Sequence, residues 1–122
     1  MKSVARAKKL FALPTAHVTI PFAFALVAAG WIATLVTLPR VAKTAGTIPL
    51  HYNIYFGVDA IGSWWQLLIV PAFATLVFLM NTAIALWQRE QDRLIPGLLL
   101  VSTVVTALLL DLALVFVLLL NT

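Results

Sequence analysis

The sequence predicts an all-α membrane protein with three transmembrane helices and an ordered extracytoplasmic loop between the first two. Three observations carry this. The 122 residues are 63% hydrophobic and only 10% charged, against about 45–50% and about 25% in soluble domains. Mean hydropathy is +1.07, more apolar surface than a soluble fold of this length can hide, so the natural solvent is lipid. Three apolar runs reach the roughly 20 residues that a bilayer requires. The joints between them are too short to separate two domains, so residues 1–122 form one membrane unit.

Residues 1–16 are the basic N-terminus, with Lys2, Arg6, Lys8 and Lys9 among Val4, Leu10, Phe11 and Leu13. Such a stretch forms either a short basic helix on the membrane surface or a charged tail, ended by Pro14. The first span covers residues 17–38, with Pro21 in its first turn. It is longer than the apolar core of a signal peptide, and Lys43 spoils the small-residue pattern of a cut after Ala45, so an uncleaved helix is expected. Ala25, Ala28, Ala29 and Gly30 give this span a face that allows close approach, within the chain or between copies. Pro39, Gly46 and Pro49 argue against regular helix in the next segment, and residues 39–63 are assigned to the outer loop.

Trp64 and Trp65 mark the return to the interface, where indole rings prefer to sit. The second span covers 64–87 and contains Pro71, which is expected to kink it and free a carbonyl near Leu67. Residues 88–93, Gln-Arg-Glu-Gln-Asp-Arg, form a tight polar turn, so spans two and three are antiparallel neighbours. Pro96 suits the first turn of the third span, 94–120. Six basic residues, Lys2, Arg6, Lys8, Lys9, Arg89 and Arg93, fall on one side and two, Arg40 and Lys43, on the other. The positive-inside rule then puts the N-terminus and the 88–93 turn in the cytoplasm, and the 39–63 loop and C-terminus outside. The net charge of +4 is explained by lipid head groups, with no need for nucleic acid as a partner. There are no cysteines, which excludes disulfides and thiolate metal sites.

Few residues carry chemistry. A charge deep in lipid costs about 2.5–3.5 kcal/mol on insertion scales, so Asp111 should face the bundle and have a partner. Matching depths on antiparallel helices places it near Val70 and Pro71 and near residues 31–34, where Thr34 or a freed carbonyl can accept its proton. It is either a proton- or cation-responsive group, helix–helix glue, or a contact to another subunit. Asn81, Ser102, Thr103 and Thr106 lie at similar depths on spans two and three and should hydrogen-bond between these helices.

The loop holds His51 and both tyrosines, and two of the four tryptophans, Trp64 and Trp65, follow directly after it. His51 has no cysteine near it and only Asp59 as a nearby carboxylate, so a metal site is not expected. Ser63 and His51 lack a nucleophile elbow and an orienting group, so no catalytic residues and no cofactor are expected. His51 either hydrogen-bonds the backbone and shapes the loop or belongs to a recognition surface. Asn53 and Asp59 are short side chains suited to capping turns or to binding. Ile54, Tyr55, Phe56, Val58 and Ile61 would be a sticky patch if exposed, so they should dip into the interface, cover the bundle mouth or meet a partner. Gly57 and Gly62 would supply the sharp turns this path needs.

The stretch Ile48-Pro49-Leu50-His51-Tyr52-Asn53, then Gly57-Val58-Asp59 and Gly62-Ser63, then an apolar helix with Pro71, resembles a small domain of unknown function in the SdpI-type family of bacterial membrane proteins. That domain has a helix, an extracytoplasmic Pro-x-His-(aromatic)-Asn…Gly-x-(Asp/Thr) loop, and further helices. The resemblance covers roughly residues 46–81. It implies that Pro49, His51, Asn53, Gly57 and Asp59 are the motif positions and potential ligand or partner contacts. It also implies a bacterial cytoplasmic-membrane location and an immunity-like role, since the family's best-known member protects against a secreted toxic peptide and relays its presence to a repressor. It brings no chemical mechanism, and this chain lacks the further membrane half of longer members. The expectation is a non-enzymatic module whose loop recognises a peptide, lipid or protein partner. The alternatives are an accessory subunit of a larger membrane complex, or an oligomeric transporter using Asp111.

Overall fold

The computed structural model describes residues 2, 4, 5, 15–43 and 47–121. Of the basic surface helix expected before Pro14, Lys2, Val4 and Ala5 are described and are helical; the rest of it, and Gly46, lie outside the described residues. Helix α1 is Ala16–Lys43, strands β1 and β2 are Ile48–Asn53 and Gly57–Gly62, a 3-10 helix covers Trp64–Leu68, α2 is Ile69–Gln88 and α3 is Leu94–Leu120. All three long helical segments are long and apolar enough to cross a membrane.

The helices run up, down and up. Ala16 at the start of α1, Ala85 at the end of α2 and Leu100 near the start of α3 form one buried cluster. Val41, Leu67, Leu114 and Leu118, from the opposite ends of the same elements, form a second one together with Ile48 of β1. Each helix buries one narrow stripe. On α1 it is Ala16, Ala23, Val27, Gly30, Thr34 and Val41; on α3 it is Pro96, Leu100, Thr103, Ala107, Leu114 and Leu118. These positions recur at spacings of three, four or seven, the seam of knobs-into-holes packing. Most large apolar side chains are exposed instead, the pattern that helices surrounded by lipid would show.

Two boundaries differ from the sequence reading. The first helix does not end at residue 38 but passes through Pro39 to Lys43, so the connecting segment is shorter than 39–63. A proline in a helix removes its own N–H bond and crowds one carbonyl. Here that loss falls in the penultimate turn, where Arg40 and Lys43 complement the negative end of the helix dipole. Pro21 is the sixth residue of a helix that begins at Ala16, and so lies beyond its first turn. Pro71 also behaves differently from expectation. It is the third residue of α2, after a 3-10 turn, where helical N–H groups lack intrahelical partners anyway, so it starts the α-helix rather than kinking its middle.

The chain is not purely helical. Residues 48–62 form a two-stranded antiparallel hairpin with Asn53 opposite Gly57 and Ile48 opposite Gly62. Its register slips between Pro49 and His51, as expected beside a proline that cannot donate to the ladder. The 88–93 turn is held by Asp92 Oδ1, which accepts the Leu94 N–H at 2.9 Å and so starts α3, and by the Arg89 Nη2–Glu90 Oε1 pair at 3.0 Å.

Candidate functional site

The hairpin sits on the end of the bundle made by the C-termini of α1 and α3 and the 3-10 helix. Ile48 and Leu50 alternate inward onto Val41, Leu67, Leu114 and Leu118, and the register slips on both sides of His51 leave His51 and Tyr52 both exposed. A polar clamp adds to this apolar seat. Asn121, just past the last residue of α3, donates Nδ2 to the Pro49 carbonyl and to the Val117 carbonyl, both at 2.8 Å. The C-terminal end of the third helix thereby holds the first strand. The other strand leads into the 3-10 helix through Gln66, whose Oε1 accepts the Ser63 N–H at 2.7 Å while its own N–H reaches the Ser63 carbonyl at 3.0 Å. A Cβ on Gly62 would collide with Gln66 and Leu50, so glycine there permits a close approach rather than a special backbone angle.

The turn is Ile54-Tyr55-Phe56. Asn53 Oδ1 accepts the Tyr55 N–H at 2.9 Å, closing the turn over its own backbone. Gly57 follows with φ of 76°, the left-handed conformation that ends a three-residue hairpin loop and disfavours residues with a Cβ. Ile54, Tyr55 and Phe56 are 79%, 82% and 83% exposed. They do not fold back over the bundle mouth, because a three-residue loop leaves no chain to reach it.

His51 bonds a side chain rather than the backbone. Its Nδ1 lies 2.6 Å from Asp59 Oδ1 across the hairpin, with the His51 side chain 65% and the Asp59 side chain 36% exposed. An ionised carboxylate only accepts, so Nδ1 is the donor in this bond when Asp59 is ionised. The five hairpin positions singled out in the sequence are thus gathered within one small element. His51 and Asp59 pair, Asn53 and Gly57 form the turn, and Pro49 is the attachment point. Among the described residues no three His, Cys, Asp or Glu side chains come together as a metal-binding group.

Asp111 and Asn81 belong elsewhere. Asp111 lies ten residues before Asn121, about 15 Å along the helix, and its carboxyl is against Gly30 of α1: a Cβ built on Gly30 would be 2.7 Å from Oδ1. This is one residue outside the 31–34 stretch that depth matching indicated. Thr34 is fully buried but turns its hydroxyl to its own helix, donating to the Gly30 carbonyl at 2.8 Å. Asn81 Nδ2 donates to Thr103 Oγ1 at 2.9 Å, a cross-helix bond of the expected kind, whereas Ser102 donates to the Leu99 carbonyl in its own helix.

Two contacts were not anticipated. Trp31 Nε1 donates to Thr75 Oγ1 at 2.9 Å and Thr75 in turn donates to the Pro71 carbonyl at 2.8 Å, tying α1 to the start of α2. Asn121 was missed as well, although a single amide closing a long apolar run is a legible signal for an anchoring contact.

Between the hairpin and the helices is a cavity of about 710 Å³. Leu50, His51 and Tyr52 line it from β1, and Ala113, Phe116 and Val117 from α3. Compared with known proteins, the chain matches no family model, no curated protein and no solved structure.

Proposed function

We propose that this chain is a small non-enzymatic binding module of the bacterial cytoplasmic membrane, whose hairpin recognises a peptide, lipid or protein partner at the extracytoplasmic face, as an immunity-type factor would. The observation that carries this reading is the contrast within the hairpin. Its base is fixed by buried Ile48 and by the Asn121–Pro49 bond. Its tip offers three apolar side chains, each about four-fifths exposed. A sticky tip on a rigid mount is characteristic of an interaction surface rather than of a packing element.

The orientation in this proposal rests on the basic residues. Lys2, Arg6, Lys8, Lys9, Arg89 and Arg93 favour a cytoplasmic location for the end opposite the hairpin. The SdpI-type loop motif supports the same assignment, with Pro49, His51, Asn53, Gly57 and Asp59 as its recognition positions. The test is crosslinked capture from native membranes, comparing the unaltered chain with His51→Ala/Asn53→Ala. A partner held only by the unaltered hairpin is the expected result; equal capture by both forms would overturn the reading.

A second reading, an accessory subunit of a larger membrane complex, is favoured by Ala25 and Ala29. Both are exposed on α1, and small residues on an outer face allow another helix close approach. That reading requires the chain to be degraded when its partner is deleted, whereas stable monodisperse chains in detergent would contradict it.

A further inference from the structure

We infer that the cavity beside β1 is a lateral site for one acyl chain of a bilayer glycerophospholipid, with the head group on the side of His51 and Tyr52. This rests on the proposed membrane placement of the hairpin end, and it specifies a ligand for the base of the hairpin rather than for its tip.

The walls indicate hydrocarbon. Leu50, Val70, Ala113, Phe116 and Val117 contribute only apolar side chains, while His51 and Tyr52 provide the polar groups, both from the strand. A volume of about 710 Å³ lies within the roughly 300–1,000 Å³ typical of sites for small molecules. The cavity follows α3 from Ala113 to Leu120, seven steps of helix rise or about 10 Å, against the about 15 Å occupied by one leaflet's chains. It therefore accepts most of a chain lying along the helix.

The occupant follows from what adjoins the site. Phe116 and Leu119 line the cavity and are also 60% and 64% exposed on the outer surface of α3. The cavity is thus continuous with the helix face that lipid must cover. A chain enters sideways from the bilayer without crossing water, which an apolar peptide from solution cannot do. The same end of the bundle carries two cations outside the cavity wall: Arg40 and Lys43 are exposed in the last turn of α1, and Arg40 is next in sequence to Val41, which clusters with Ile48 of the hairpin. A phosphate head group at this level is favoured electrostatically.

The experiment places the full chain in vesicles of phosphatidylcholine and phosphatidylglycerol containing a trace of phosphatidylglycerol with a photoreactive group midway along one chain. After illumination, labelled peptides are mapped by mass spectrometry for the unaltered chain, for Ala113→Trp, which fills the site, and for Val105→Trp, an exposed position on α3 outside it. Expected is label in residues 50–52 and 113–120 about tenfold above that at other lipid-facing positions, the ratio set by 1.4 kcal/mol of preference, lost in Ala113→Trp and kept in Val105→Trp. Even labelling along all three helices of the unaltered chain would overturn the proposal whether or not Ala113→Trp folds, and so would label that persists in a folded Ala113→Trp chain. Labelling by a photoreactive free fatty acid but not by the phospholipid would also overturn it. Loss of partner capture at the hairpin tip would leave this labelling pattern unchanged, so the two proposals fail separately.

Discussion

Replacing Gly30 by alanine tests how Asp111 is accommodated. The added Cβ would stand 2.7 Å from Asp111 Oδ1, 3.7 Å from its Cγ and 3.8 Å from Leu114 Cδ2. Only the first distance is short. Comfortable contact begins near 3.5 Å, so the carboxyl must retreat by about 0.8 Å or leave the seam. Overpacking of this kind costs about 1–3 kcal/mol. Alanine also improves helix propensity by about 0.8–1.0 kcal/mol over glycine, which leaves a net loss of about 1 kcal/mol. In an Asp111→Ala background the clash disappears and the propensity remains, so Gly30→Ala becomes stabilising. The sign reverses between backgrounds, with a coupling of about 1–3 kcal/mol, as for residues in direct contact. Reversible unfolding in mixed micelles, followed by tryptophan fluorescence, measures all four corners of the cycle. Equal effects of Gly30→Ala in both backgrounds would refute the placement of Asp111 against α1.

Asn121→Ala removes the side chain that holds Pro49, a loss of about 0.5–1.5 kcal/mol for each typical hydrogen bond; faster amide exchange over residues 48–62 with unchanged exchange in α2 checks it. Gly57→Ala forces a residue with a Cβ into positive φ and should weaken the hairpin by about 1–2 kcal/mol, visible in the same exchange experiment. Asn81→Leu breaks the bond to Thr103 and should cost about 0.6 kcal/mol, the usual size of such bonds between membrane helices, measured by unfolding in micelles. His51→Ala should change stability by less than about 1 kcal/mol, because its pair with Asp59 is exposed, while abolishing partner capture.

The helical frame was legible because the bilayer sets a length that the three apolar runs meet, and because the polar run at 88–93 permits only a tight reversal. The Asn81–Thr103 bond was legible for a related reason: residues at equal depth on antiparallel neighbours meet. Asp111 was placed one residue away by the same depth matching. The hairpin was harder to see. Its strands carry Pro49 and two glycines, which discourage a strand assignment, and its turn lacks the Asn-Gly or Asp-Gly pair of two-residue loops. Asn53 and Gly57 bracketing three residues was the available clue. Pro39 misled because a proline is a local signal, whereas the helix end is settled by Val41 packing with Ile48, Leu67 and Leu118. Ile54, Tyr55 and Phe56 were expected to find cover, and among the described residues none covers them.

The most direct test of the proposed function is a photocrosslinking residue placed at Phe56 and, separately, at Leu109 on the lipid-facing side of α3, with adducts compared in native membranes. The account predicts a discrete adduct from position 56 that is absent from position 109 and is lost when His51 and Asn53 are replaced by alanine. No adduct at 56, or the same adducts from both positions, would contradict it.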